Sequence, residues 1–185
     1  MNLYIRLLIL YVKSFFSRTK SVHIKETTSI NLTVLPNDLD LNWHMNNGRY
    51  LTIMDLGRID YMMKTGLLKV ILRNKWFPVV SASQICYFRP LTLFETYTLQ
   101  TTLESWNGKW YIMTQRFEKN GKLYAVAIIR GIFRDKKGPI LISEILKAMD
   151  IDFETSPTLH HETEIWLSYI AKTTQIHCKT SARKE

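Results

Sequence analysis

The spacing of apolar and polar positions changes several times along this chain, and each change predicts an element. Residues 28–36, TSINLTVLP, alternate at Ile30, Leu32 and Val34 among β-branched neighbours and stop at Pro36, which predicts a strand. From 49 to 66 the period becomes helical. Tyr50, Ile53, Met54, Gly57, Tyr61 and Met62 fall on one face, and Gly66 supplies a stop. Gly57 in mid-helix costs up to about 1 kcal/mol relative to Ala, which suggests that sheet backbone comes close on that face. Residues 67–76 predict a second, short helix. After Pro78 the pattern alternates in four runs: VVSASQICYF, FETYTLQTTLESW, KWYIMTQRFEK and KLYAVAIIRGIFRD. Arg89-Pro90 breaks the first run from the second, and Asn107-Gly108 and Asn120-Gly121 are hairpin turns between the rest. Helices are expected at 143–149 and near 162–172, followed by a frayed end, KTSARKE. The order strand, helix, then about four antiparallel strands predicts an α+β fold in which a sheet wraps one long helix. Its open edges would be covered by a second copy.

The first twenty residues, MNLYIRLLILYVKSFFSRTK, form a separate segment. Arg6 and Lys13 interrupt the apolar run, so it is too short and too charged for a bilayer span. It lacks the basic start and small-residue cleavage site of a signal peptide. Wound as a helix, Asn2, Arg6, Lys13, Ser17 and Lys20 share a narrow polar stripe, and Leu, Ile, Tyr, Val and Phe cover the rest. Such a helix either lies in a membrane interface or docks on protein. The expected organisation is this helix over 1–20, the sheet-and-helix domain over 21–140, and a helical extension with a frayed tail over 141–185.

Composition narrows the partners. The 185 residues are 46% hydrophobic and carry a formal charge of +9, which suits a folded domain with an acidic partner: phosphate groups, an anionic membrane surface or nucleic acid. The basic residues are scattered and no nucleic-acid recognition motif is present. Cys86 and Cys178 lie far apart, the pattern of reduced thiols in a cytoplasmic setting; Cys86 has no evident base beside it as a nucleophile. The cluster His160, His161, Glu162, Glu164 fits no metal-ligand spacing, so no metal is expected.

One stretch carries candidate chemistry: DLDLNWHMNNGRY, residues 38–50. In extended backbone Asp40, Asn42 and His44 would share one face, while Leu39, Leu41, Trp43 and Met45 would anchor the other to the core. A half-exposed edge strand has the same alternation. The residue types go further. A carboxylate can act as base or nucleophile, an amide can orient it, and an imidazole can carry a proton. The segment also ends at a predicted helix N-terminus, where main-chain N–H groups around Gly48 and Arg49 could hold a developing oxyanion.

DLDLNWHMNNGRYL resembles the D-x-D-x-x-x-H-x-N-N-x-x-Y signature of hotdog-fold thioesterases of the 4-hydroxybenzoyl-CoA type, and more closely the D-L-D-x-N-x-H-x-N-N segment of fatty acyl-ACP thioesterases. The element order over residues 25–135 is similar too. The resemblance implies a five-stranded antiparallel sheet around a central helix, a homodimer or homotetramer, and hydrolysis of an acyl-CoA or acyl-ACP thioester. No cofactor is implied, CoA or phosphopantetheine being part of the substrate. Position by position, Asp40 matches the catalytic carboxylate, Asn42 and His44 the amide and imidazole, and Asn46 and Asn47 the paired amides entering the helix. The plant enzymes carry two such repeats, and this chain has room for one; their downstream catalytic acid has no counterpart here. Arg89, at the FRPL break, is a candidate phosphate contact, and residues around Met54, Tyr61 and Trp76 are candidates to line an acyl tunnel. Asp55 and Arg58 read as a structural (i, i+3) pair. The alternative from a different class is a non-catalytic module that binds acyl thioesters or lipid at the inner membrane surface through residues 1–20. Enoyl-thioester hydration would need a His-rich, Pro-Gly-containing motif that this sequence lacks.

Overall fold

Hairpin turns and alternating strands build the larger part of the molecule. The computed structural model describes residues 2–16, 22–151 and 155–181. Strand β1 (Thr28–Thr33) is followed by helices α2 (Asn47–Lys64) and α3 (Leu67–Arg73), with α1 (Asn2–Phe16) preceding them. Strands β2 (Phe77–Tyr87), β3 (Thr96–Asn107), β4 (Trp110–Lys119) and β5 (Lys122–Arg134) then form one antiparallel sheet in the order β1-β3-β4-β5-β2. A two-residue strand β6 (Pro139–Ile140) adds to β5, so a sixth strand joins the five expected. Helices α4 (Ile142–Ala148) and α5 (His161–Ser181) complete the chain. Asn120 and Gly121 both have positive φ, as does Gly108, which is the backbone that tight hairpins require.

The inner face of the sheet holds α2. Register places Ile30 opposite Leu99, Leu99 opposite Phe117, and Phe117 opposite Ala125. These residues pack with Tyr50, Ile53, Met54 and Leu56 of α2 in one buried cluster. Gly57 is the point of closest contact. A Cβ there would sit 2.7 Å from Gln115 Nε2 and Thr101 Oγ1 and 2.8 Å from Leu99 Cδ2. Side chains of the sheet, and not its backbone as expected, therefore demand the glycine. Gln115 is fully buried and joins helix to sheet: Nε2 donates to the Met54 carbonyl (3.0 Å) and Thr101 Oγ1 (2.9 Å), and Oε1 accepts from Arg58 Nη1 (2.8 Å). Arg58 also pairs with Asp55, the (i, i+3) contact read from the sequence.

The outer face is covered in part by the start of α5, through buried Trp166 and through Thr163, whose hydroxyl donates to Glu104 Oε1 at 2.7 Å. Helix α1 docks on its own domain through Leu3, Arg6, Leu7 and Leu10. Its polar stripe does not face solvent throughout. Arg6, of the predicted polar stripe, faces inward, while Tyr4, Ile5, Leu8, Ile9, Tyr11 and Val12 face outward. Residues 17–20 of that predicted helix, with Ser17 and Lys20, lie outside the described residues, as do the last residues of the chain.

Candidate functional site

The segment between β1 and α2 is a tight loop rather than an extended strand. Leu39 and Met45 pair across its base, and the chain reverses between them. Trp43 takes a left-handed φ of 60° at the reversal. Period-two alternation is lost at that point. Met45 is buried and Leu39 half-buried, but Leu41 is 99% and Trp43 71% exposed, so neither anchors the loop to the core as expected.

Asp40 organises the reversal. Its N–H donates to the His44 carbonyl (2.8 Å), and its carbonyl accepts from Trp43 N–H (3.2 Å). Its Oδ1 accepts the N–H of Asn42 (2.8 Å) and of His44 (3.2 Å). Its Oδ2 has no hydrogen-bond partner among the described residues. The carboxylate is therefore fixed by one oxygen and open at the other. It lines a cleft of about 260 Å³ with His44, Met45, Asn47, Tyr50, Tyr87 and Arg89. A bridge between His44 and Thr92 holds the loop against the chain beyond β2.

Helix α2 starts where the motif ends, and Asn46 is its N-cap. Asn46 Oδ1 accepts Gly48 N–H (2.8 Å) and its carbonyl accepts Arg49 N–H (2.8 Å). The two amides expected to hold an oxyanion are thus already committed. Asn47 N–H is the amide of this turn with no acceptor among the described residues. The Arg49 side chain is also engaged elsewhere: its Nε and Nη2 donate to Asp38 Oδ1 at 3.0 and 2.9 Å. Asn42, Asn46 and Gly48 do not line the cleft, and Asn42 is exposed.

The sequence assigns no role to Tyr87, or to Asp38 at the head of the motif. Tyr87 ends β2, donates to the Asn47 carbonyl (3.1 Å) and stacks edge-on against Tyr50, with ring centres 5.1 Å apart. Burial pushes the Tyr50 phenol up to about 12, offset in part by a hydrogen bond with the main chain of Leu91, and burial raises Tyr87 as well. Both phenols are neutral donors at ordinary pH. The one available signal for Tyr87 was its place just before the Arg89-Pro90 break. Arg89 lines the same cleft; its main-chain N–H donates to the Tyr124 carbonyl (3.2 Å) and Nη1 to the Leu123 carbonyl (2.7 Å), and its other guanidinium N–H groups have no partner among the described residues. Asp38 is completely buried, a structural ion two residues from the open carboxylate.

A second, apolar cavity of about 340 Å³ lies farther along α2, lined by Ile59, Tyr61, Met62, Val80, Tyr111 and Phe133 among others, with Asp55 and Arg58 at its wall. Of the candidate tunnel residues, Tyr61 lines this cavity, and Met54 and Trp76 do not.

Residues 34–157 match the model of a family described as the Thioesterase-like superfamily. Protein THEM6 of Danio rerio is 32% identical over 145 residues, which cover 77% of this chain and 69% of that protein. The long-chain acyl-CoA thioesterase FadM of Escherichia coli (strain K12) is 31% identical over 101 residues, 54% of this chain and 76% of that protein. Among solved structures, the probable thioesterase YbaW from Escherichia coli superposes with a TM-score of 0.61 at 26% identity, covering 66% of this chain and 96% of that one.

Proposed function

From the premise that the chain belongs to the Thioesterase-like superfamily and has its hotdog fold, we propose that it hydrolyses acyl-CoA thioesters to the free acid and the thiol at the Asp40 cleft. The observation that carries this reading is the half-engaged carboxylate of a cleft-lining residue: Oδ1 is pinned by two N–H groups while Oδ2 has no hydrogen-bond partner among the described residues. Oδ2 acts as general base on water, or attacks the carbonyl carbon itself. The carbonyl oxygen, as it gains charge, is met by Asn47 N–H and the positive end of α2, while the Tyr87 hydroxyl holds the Asn47 peptide by donating to its carbonyl. His44 supplies a proton to the departing thiolate. Arg89 has guanidinium donors to spare for a CoA phosphate. A relative named as a long-chain acyl-CoA thioesterase supports CoA over carrier protein as the thiol.

The acyl chain requires apolar cover, and a second copy would provide it. β2 is eleven residues long and pairs only with β5 among the described strands. Such an edge invites pairing. In an antiparallel β2–β2 pair, the start of the strand in one copy lies beside its end in the other. Each Asp40 cleft then adjoins the partner's apolar cavity, which is lined by Pro78 and Val80 near the start of β2. A thiol-release assay across acyl-CoA esters of increasing chain length, with acyl carrier protein esters in parallel, tests the function. Turnover of CoA esters is expected, rising with chain length. Binding of acyl-CoA with no thiol released would make the protein a non-catalytic acyl-thioester module instead.

The outward face of α1 adds a location to this reading. Among the described residues no helix is long and apolar enough to cross a membrane, yet Ile5, Leu8 and Ile9 present an uncovered apolar strip. With a net charge of +9, this strip suits the interface of an anionic bilayer. Leu8→Ser with Ile9→Ser should weaken co-sedimentation with phosphatidylserine vesicles by at least about tenfold, since each buried aliphatic side chain contributes roughly 1.5–3 kcal/mol. Equal sedimentation of parent and variant would remove the membrane from the proposal.

A further inference from the structure

Helix α1 reaches the candidate site through one buried contact. Arg6 is 7% exposed, and its Nη2 donates to Asp38 Oδ2 at 2.5 Å and to the Thr33 carbonyl at 2.9 Å. Asp38 in turn holds both ends of the loop that bears Asp40 and His44. On the entry side, Oδ2 accepts Leu35 N–H (2.9 Å). On the exit side, its carbonyl accepts Asn46 N–H (2.8 Å), and Oδ1 takes the two Arg49 donors from the first turn of α2. The surroundings are dry. The Tyr97 phenol beside Arg6 is raised well above its ordinary value by burial, against the opposing pull of that guanidinium. Charge-assisted hydrogen bonds in such a setting are stronger than neutral ones and hold their geometry tightly.

We infer that Arg6 is a positioning residue of the candidate site: through Asp38 it fixes the loop that presents Asp40 and His44, so that α1 forms part of the frame of the site. Helix α1 precedes the family match at 34–157, so Arg6 lies outside the matched region and its partner Asp38 within it. The effect on turnover rests on the Asp40 reading; the effect on the loop does not. Asp40 is not in contact with Arg6. It is placed by the Asn42 and His44 amides, and that turn is clamped at its base by Asp38. Loss of the Arg6 guanidinium frees Oδ2 on one side, and the loop gains freedom while the sheet keeps its own hydrogen bonds. A displacement of about 1 Å at a reacting group is enough to slow chemistry severely while ground-state binding is kept.

The test compares the full-length protein with Arg6→Met and Arg6→Lys by amide hydrogen exchange and by thiol release. In Arg6→Met the amides of Asn42, His44 and Asn46 are expected to exchange about tenfold faster or more, while those of Phe117 and Ala127 in the sheet keep their parental rates. Turnover should fall about tenfold with KM changed by less than about threefold. Lysine can reach the same carboxyl oxygen with fewer donors, so Arg6→Lys should recover part of both losses; should Arg6→Met fail to fold, intermediate exchange at the three loop amides in Arg6→Lys decides the matter. Parental exchange at those amides in Arg6→Met would overturn the inference. So would faster exchange throughout the chain with no difference between Met and Lys, which is the signature of a merely structural contact. If the parent hydrolyses no thioester, the proposed function fails, and the exchange data still decide what Arg6 does to the loop.

Discussion

Asp40→Asn should lower turnover by about 100-fold or more, the usual scale for a positioned general base, while leaving the fold unchanged. The structure makes this substitution unusually clean. The two loop amides bond to Oδ1, at 2.8 Å from Asn42 and 3.2 Å from His44. An asparagine keeps an oxygen in that place, so the turn closes as before. What changes is the group that replaces the open Oδ2: a basic or nucleophilic oxygen becomes an amide nitrogen that can neither accept a proton nor attack a carbonyl. Thermal unfolding should therefore be the same within about 0.5 kcal/mol, as for a substitution that spares burial and hydrogen bonding, and acyl-CoA binding should persist. Asp40→Ala is the informative contrast. It removes the acceptor for both amides as well as the chemistry, so it should lose turnover and also loosen the loop. Hydrolysis by Asp40→Asn at the parental rate would show that the reacting group lies elsewhere.

The regular elements of this fold are legible because each carries its own local cause. Alternation at Ile30 and Leu32, helical spacing from Tyr50 to Met62, and the two Asn-Gly turns all act within a few residues, and the observed strands and helices follow them closely. The loop of the site is not legible in that way. Alternation from Leu39 to Met45 reads as extended backbone, but a single left-handed residue, Trp43, reverses the chain and leaves Leu41 and Trp43 in solvent. No spacing rule separates Asp38 from Asp40 either. One is buried and the other lines a cleft because of partners at positions 6 and 49, and pairing over such a distance is a property of the packed molecule. The inward turn of Arg6 has the same origin: an arginine on a polar stripe turns inward only because a buried carboxylate waits for it. Resemblance to a known motif points to Asp40, but only the folded contacts show why its neighbour two residues away differs from it. They also show that the amides of Gly48 and Arg49 are spent on Asn46.

That division of labour between the two aspartates predicts phenotypes that differ in stability. Asp38→Ala should destabilise the protein by about 3–5 kcal/mol, the cost of breaking a buried ion pair from one side. The carboxylate is fully buried, and the cavity of a methyl group would leave Arg6 Nη2 without the partner at 2.5 Å and Arg49 without its two-donor contact. Leu35 N–H loses its acceptor too. Guanidinium groups do not discharge by losing a proton, so the uncompensated charge must draw in water or expel α1. Urea unfolding monitored by tryptophan fluorescence would register the loss as a lower midpoint, and thermal unfolding as a fall on the order of 10 °C. Asp38→Asn should cost less, because its amide oxygen can still accept from one guanidinium, although its nitrogen then faces another donor. A decrease below about 1 kcal/mol in Asp38→Ala would mean that these charges are solvated in the folded protein, and the loop bearing Asp40 would then need another support. Taken with Asp40→Asn, the pair forms a sharp contrast across two positions: chemistry lost with stability kept at one, and stability lost at the other in a residue that does not line the cleft.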